Sequence, residues 1–241
     1  MCSYKDSQSK FDAYLEDHAY LADGLLAIYQ ATFDVRWLEE ARALADEMLA
    51  RFWDDAAGGF FDTASDHADQ SLIIRPKNIT DNAIPSGNAV AASVLLQLSV
   101  LSGPSTDSEP GATYHRHAVE TLRLLGGAMA RHPRAFGQAL SALDAYLAST
   151  QEIVIIGDPQ DAATQVLLET VHKRYLPHKV LVVAHPDQAD ELSQPIPLLV
   201  GRTQIDRAAT AYVCENYACQ LPVTEPKALM GLFEAAQRRG P

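Results

Sequence analysis

Apolar residues return every third or fourth position through the first 150 residues of the chain, the spacing of helix faces. Beyond that point they gather into short β-branched runs. Residues 11–31, FDAYLEDHAYLADGLLAIYQA, set Leu15, Ala19, Ala22, Leu26 and Tyr29 in one stripe, with Leu21, Leu25 and Ile28 beside it. A helix apolar around most of its circumference is buried on more than one side, so this stretch predicts an inner helix. Residues 36–52 differ: Trp37, Ala41, Leu44, Ala45, Met48 and Phe52 make a single stripe, while Glu39, Glu40, Arg42, Asp46 and Glu47 face elsewhere. That pattern predicts an outer, half-exposed helix.

The pair recurs. Residues 88–102, NAVAASVLLQLSVLS, have little polar surface, and after a loop rich in Gly, Pro, Ser and Asp (103–112) residues 114–131 are again amphipathic. Residues 135–148, behind Pro133, supply a further buried helix. Inner helix, turn, outer helix, repeated, is an internal repeat of the α/α type. The expected fold is mainly α: a partial (α/α)6 toroid of helical hairpins over residues 1–150, then a small α/β segment over residues 151–241. Five long helices are too few to close six hairpins, so an open arc is expected. Leu25, Ile28 and Leu95 then contribute to an uncovered apolar patch or self-association surface.

In the second segment, EIVIIGDP and KVLVVAHP read as strands flanking a helix that Asp161 can cap, a βαβ unit with parallel pairing. A third strand takes in Ala211 to Cys214. Glu225 to Arg238 form the last helix, with Pro226 in its first turn, where proline is tolerated. One glycine in IIGDP makes no dinucleotide fingerprint.

Composition narrows the function classes. Nineteen Lys and Arg against 31 Asp and Glu give a net charge of −12, a field that repels nucleic acid and anionic membrane surfaces. No apolar run approaches a membrane span, and MCSYKDSQSKFDAY lacks the layout of a signal peptide. A cytoplasmic protein with reduced thiols at Cys2, Cys214 and Cys219 is therefore expected. CENYAC separates its thiols by four residues and not by two. With Glu215 beside Cys214 and no Lys or Arg from 208 to 226, it reads as a buried, weakly reactive pair.

The richest polar stretch is RPKNITDNAIPSGNAV (75–90). Arg75, Lys77, Asp81 and Asn82 lead into Ser86-Gly87-Asn88 at a helix start, with Ser86 placed to cap and Pro85 restricting the chain before it. Such an end can also hold an anion or a sugar hydroxyl; capping and loop ordering are the stronger reading. YLEDHAYLADG puts Glu16, Tyr20 and Asp23 on one helical face. These carboxylates are either an acid/base set or partners for Arg75 and Lys77. His18 reads as a packed side chain before a catalyst. FWDDAAGGFFDT (52–63) reads first as a Gly58-Gly59 turn anchored by Phe60 and Phe61, and second as a turn presenting Asp62 to a ligand. No metal-ligand spacing stands out, and no cofactor is expected.

The motifs YLEDHAYLADGLLAIYQATFD, FWDDAAGGFFDT, RPKNITDNAIPSGNAVAA and AYVCENYACQLPVTEP, in that order, resemble the C-terminal part of the thioredoxin-domain-containing, spermatogenesis-associated (YyaL-like) protein family. The resemblance runs over nearly the whole chain. It implies a helical toroid similar to N-acylglucosamine 2-epimerases and six-hairpin glycosidases, closed by an α/β segment. Members begin with a thioredoxin-like domain and further hairpins; without them this chain resembles a fragment or truncated product. The family pattern usually has Tyr where this chain has His18, so no role is carried over to that position.

Two functions compete. In the first, a carbohydrate-related module, a sugar isomerase or epimerase-like fragment, uses Glu16, Asp23 and Asp81 as catalytic carboxylates and Arg75, Asn82, Ser86 and Asn88 to hold a carbohydrate ligand. In the second, a non-catalytic interaction module serves a thioredoxin-like redox domain. Two titratable groups converging in one open cavity favour the first; polar groups paired with each other favour the second.

Overall fold

The computed structural model describes residues 3–5, 8–10, 13–67, 74–103, 110–215 and 218–239. They fall into two compact units, residues 1–98 with 112–146 and residues 99–111 with 147–241. The chain is mainly helical, with a small four-stranded sheet.

The first unit opens on a short antiparallel pair, β1 (Ser3–Lys5) and β2 (Gln8–Lys10), which the periodicity did not predict. Then come α1 (Leu15–Thr32), α2 (Val35–Phe52), α3 (Gly87–Leu101), α4 (Pro110–Arg131) and α5 (Gly137–Leu147). The α1–α2 turn needs two devices. Phe33 adopts the left-handed conformation (φ 59°) and its N–H donates to Tyr29 O at 2.6 Å, ending α1. Asp34 then accepts from Arg36 N–H at 3.1 Å and opens α2.

α1 and α3 look alike in sequence but are packed differently. α1 buries Leu15, Ala19, Ala22, Leu26 and Tyr29, while Leu21 (55% exposed) and Ile28 (42%) face outward, so its burial is one-sided. α3 is covered on nearly every side from Gly87 to Leu98. Ala89 joins Leu125, Met129, Phe136 and Ala139 in one cluster that ties α3 to α4 and α5. Gln30 Nε2 donates to Gln97 Oε1 (3.3 Å) between α1 and α3, and Tyr114 Oη donates to Asp46 Oδ1 (2.6 Å) between α4 and α2. Fully buried leucines such as Leu95 and Leu98 each contribute about 2 kcal/mol. The expected apolar patch is thereby corrected: Leu95 is buried, Leu25 is at the buried limit, and Ile28 is exposed with Leu21 as its neighbour.

The second unit holds β3 (Gln151–Ile156), α6 (Ala162–His172), β4 (Lys179–Ala184), α7 (Ala189–Leu192), β5 (Thr210–Glu215), β6 (Ala218–Cys219) and α8 (Pro226–Arg239). The sheet order is β4-β3-β5-β6, with β3 and β4 parallel around α6 and the other pairs antiparallel. β3, β4 and β5 are buried over most of their lengths, which is why they read as unbroken apolar runs. Gly103 belongs to this unit; at φ +79° a Cβ there would lie 2.6 Å from Pro197 Cβ, so both backbone and space require glycine. Cys214 and Cys219 are direct cross-strand partners joined by a disulfide, not the reduced pair expected. The antiparallel pairing of β5 with β6 sets the two side chains face to face. No described helix is long and apolar enough to cross a membrane.

Candidate functional site

The starts of α1 and α3 approach so closely that a Cβ on Gly87 would lie 3.2 Å from Leu15 Cδ2 and 3.3 Å from Glu16 backbone atoms. Beside this contact is a cleft of about 290 Å³, lined by Tyr14, Glu16, Asp62, Thr63, Asn78 and Gly87. Three chain segments meet there through the backbone. Leu15 N–H donates to Asp62 O (3.0 Å), and Asp62 N–H donates to Pro76 O (2.8 Å). Asn78 N–H donates to the Asp62 carboxylate at 2.8 Å. Burial pushes the Asp62 carboxyl above its ordinary value, and the Asn78 N–H opposes that push. The Thr63 hydroxyl oxygen is buried without a hydrogen-bond partner among the described residues, and a buried hydroxyl gains from a ligand or water that completes it.

Glycine builds the turn that delivers Asp62. Gly58 and Gly59 take φ of +73° and +70°, and a Cβ on Gly59 would meet Leu124 Cδ2 at 2.6 Å. The returning chain pairs Phe61 N–H with Phe52 O at 2.8 Å. Lys77 Nζ closes the turn, 2.6 Å from both Asp54 Oδ2 and Gly58 O, and holds the Asp54 carboxyl below its usual range.

Of the residues singled out from sequence, Glu16 lines the cleft. Asp23 lies two turns further along α1 and opens to solvent. Asp81 is committed to helix starts: Oδ1 accepts from Ser86 N–H and Oδ2 from Gln138 N–H, both at 2.9 Å, ahead of α3 and α5. Ser86 Oγ accepts from Ala89 N–H at 3.2 Å, the capping role read for it. Asn88 is fully buried and duplicates a strand edge: it accepts from Phe60 N–H (2.7 Å) and donates to Phe60 O (2.9 Å) and Asn78 O (3.1 Å). Arg75 ties the loop, donating to Arg51 O (3.3 Å) and Thr63 O (2.5 Å) with its guanidinium 4.1 Å from the Phe61 ring centre. Asn82 is exposed, and its backbone N–H donates to Ile84 O at 2.9 Å. Thus Arg75, Asp81, Ser86 and Asn88 position the cleft's walls through contacts inside the protein.

The residues that sequence reasoning ranked low or passed over are Tyr14, Asp62, Thr63 and Asn78. The signal for Asp62 was the Gly58-Gly59 turn, which aims the following residues back toward the helix starts. His18 is buried: its Nδ1 lies 2.9 Å from Tyr14 O, its Nε2 3.5 Å from Glu47 Oε2, and its ring 5.0 Å from that of Phe52. It is a packed bridge from α1 to α2. Among the described residues no group of His, Cys, Asp or Glu is placed to hold a metal ion.

A second polar cluster lies in the second unit. Arg202 Nη2 is 3.1 Å from Cys214 Sγ and 3.2 Å from Cys219 Sγ. Its guanidinium stacks 4.8 Å from the Tyr212 ring centre. The Tyr212 hydroxyl clamps the next residue, accepting from Thr203 N–H (3.1 Å) and donating to Thr203 O (2.6 Å). Glu152 is the cross-strand partner of Cys214 on β3, and burial pushes its carboxyl up while Arg202 pulls it down. The expectation of no nearby cation considered the chain from 208 to 226; Arg202 arrives from just outside it.

The chain is homologous to spermatogenesis-associated protein 20, with 36% identity over 220 residues to both the rat and the human protein, covering 91% of this chain. An uncharacterized protein of Caenorhabditis elegans is 24% identical over 221 residues. No family model matches the chain. The chain spans only about a quarter of the length of these relatives, 27% of the mammalian proteins.

Proposed function

We propose that the first unit is a carbohydrate-binding module, an incomplete (α/α) toroid whose cleft beside α1 and α3 takes a small polyhydroxylated ligand. The observation that carries this reading is the meeting of Glu16 and Asp62 in one cleft lined also by Tyr14 and Thr63. Carboxylates accept from sugar hydroxyls, and an aromatic ring suits the C–H face of a sugar. Two carboxyls in one cleft are also what a sugar isomerase or epimerase needs, one to remove a proton and one to return it. Asp62, with its carboxyl pushed up, suits the proton-holding role. Asp23 and Asp81 stand outside that pair in this reading: neither lines the cleft, although burial pushes the Asp23 carboxyl up as well, and Asp81 caps helices.

The test is calorimetric titration of the chain with a panel of neutral, amino and N-acylated monosaccharides, repeated with Glu16→Gln and Asp62→Asn. Saturable binding weakened about tenfold or more in both variants, a loss of about 1.4 kcal/mol, supports the reading. Absence of binding across the panel, or equal binding by folded variants, overturns it. A second reading, a non-catalytic module serving a redox partner, draws on a different observation, the disulfide beside Arg202.

A further inference from the structure

We propose that Cys214, Cys219 and Arg202 form a thiol–disulfide exchange site in which the exposed sulfur is attacked and the buried sulfur leaves as a thiolate facing arginine. This stands apart from the carbohydrate reading and concerns the second unit alone.

The hairpin makes the two sulfurs unequal. Gln220 N–H donates to Val213 O at 3.0 Å. By the alternation of an antiparallel ladder, the 214/219 pair is then the non-hydrogen-bonded kind, in which facing side chains come closest. Cys214, on β5 between β3 and β6, is fully buried, whereas Cys219, on the edge strand β6, is exposed. An incoming thiolate therefore reaches Cys219 and not Cys214.

The cation gives the leaving sulfur its role. A disulfide sulfur is a weak, neutral acceptor, and a guanidinium drawn partly out of water gains little from it. A thiolate in the same place converts that contact into a charge-assisted one. Arg202 is held for this by the Tyr212 ring and by the Tyr212 hydroxyl on Thr203. Glu152, facing Cys214 from β3, also attracts Arg202, so the thiolate shares the cation with a carboxyl.

The reductant is a dithiol. Its thiolate forms a bond to Cys219 Sγ, the Cys214–Cys219 bond breaks, and the electron pair leaves on Cys214 Sγ. The second thiol of the reductant, having lost its proton, attacks its own sulfur in the mixed disulfide and releases Cys219 as a thiolate, which takes a proton from water. Two electrons pass to the protein, two cysteine sulfurs are reduced, and the dithiol ends as a disulfide. The reverse sequence restores the pair.

The experiment uses the full chain with Cys2→Ser, so that only this pair reports. The oxidised protein is mixed with dithiothreitol under native conditions, quenched with acid at intervals, alkylated and read by mass. Native reduction much faster than global unfolding is expected, with the first mixed adduct mapped to Cys219. Arg202→Met should slow native reduction about threefold or more, the effect of one pKa unit or more on the leaving thiol at a Brønsted coefficient of about 0.5, and Arg202→Lys should recover most of it. In concentrated urea all three proteins should react alike, which separates the cation's role from folding. Reduction only at the unfolding rate, a first adduct on Cys214, or equal native rates for folded Arg202→Met and the parent overturns the proposal. Failure of oxidant to form the disulfide overturns it as well.

Discussion

Residues 75–88 and the segment from Arg202 to Cys219 both gather polar side chains around a turn, yet the two regions use them in opposite ways. In the first, Asn88 joins three backbone groups, the Asp81 carboxylate opens two helices, and Lys77 and Arg75 close on carbonyl oxygens. Apart from Arg75 Nε these groups are occupied, and what they build is the wall of a cleft lined by Glu16, Asp62 and Thr63. In the second, a guanidinium faces two sulfurs that return little in their bonded form. A dense polar stretch therefore identifies a loop that must be tied down as readily as it identifies a site; availability depends on whether each group's partner is already inside the protein.

Substitutions can break this contrast. Asn88→Ala should have the largest effect, since it leaves Phe60 N–H, Phe60 O and Asn78 O without their partner in a dry environment. A loss of about 3–5 kcal/mol is expected from urea unfolding. A loss below about 1 kcal/mol would show that the first region is not held by this side chain. Asp81→Ala should follow, costing about 2–3 kcal/mol by removing acceptors from the starts of α3 and α5. Slowed amide exchange at Gln138 in that variant, instead of faster exchange, would contradict the capping role.

Arg202→Met should lie well below both in stability. The side chain is half-buried and solvent screens its charge, so a change of no more than about 1 kcal/mol is expected in the oxidised protein. A thermal melt showing a loss as large as that of Asn88→Ala would make Arg202 a structural anchor and erase the contrast.

The smallest effect carries a sign. Burial raises the Asp62 carboxyl above its unfolded value of 3.8, so its favourable contribution is full below that value and is lost as pH rises through the folded value. Asp62→Asn, whose amide oxygen can still accept from Asn78 N–H, should therefore be slightly more stable than the parent at neutral pH. The gap should close on acidification below about pH 4. Equal stability at both ends of a pH series of urea midpoints would remove the burial cost assigned to Asp62.

Local features of this protein follow from the sequence by itself. The spacing of apolar residues marks α1 to α5, the β-branched runs mark β3, β4 and β5, and Pro226 and Ser86 stand at helix starts as their chemistry requires. Each depends on neighbours within a turn or two, so a linear reading reaches it. Tertiary structure decided what depends on distant partners. α1 and α3 have similar apolar circumferences, but only α3 has neighbours on every side. Asp81 serves Gln138, 57 positions away, a partner no local reading reaches. Cys214 meets Arg202 because a loop returns that arginine to the hairpin, and Cys214 is buried while Cys219 is not because one strand is interior and the other is an edge. Burial and charge at a site are sums over everything packed around it, and only the folded chain brings those contributors together.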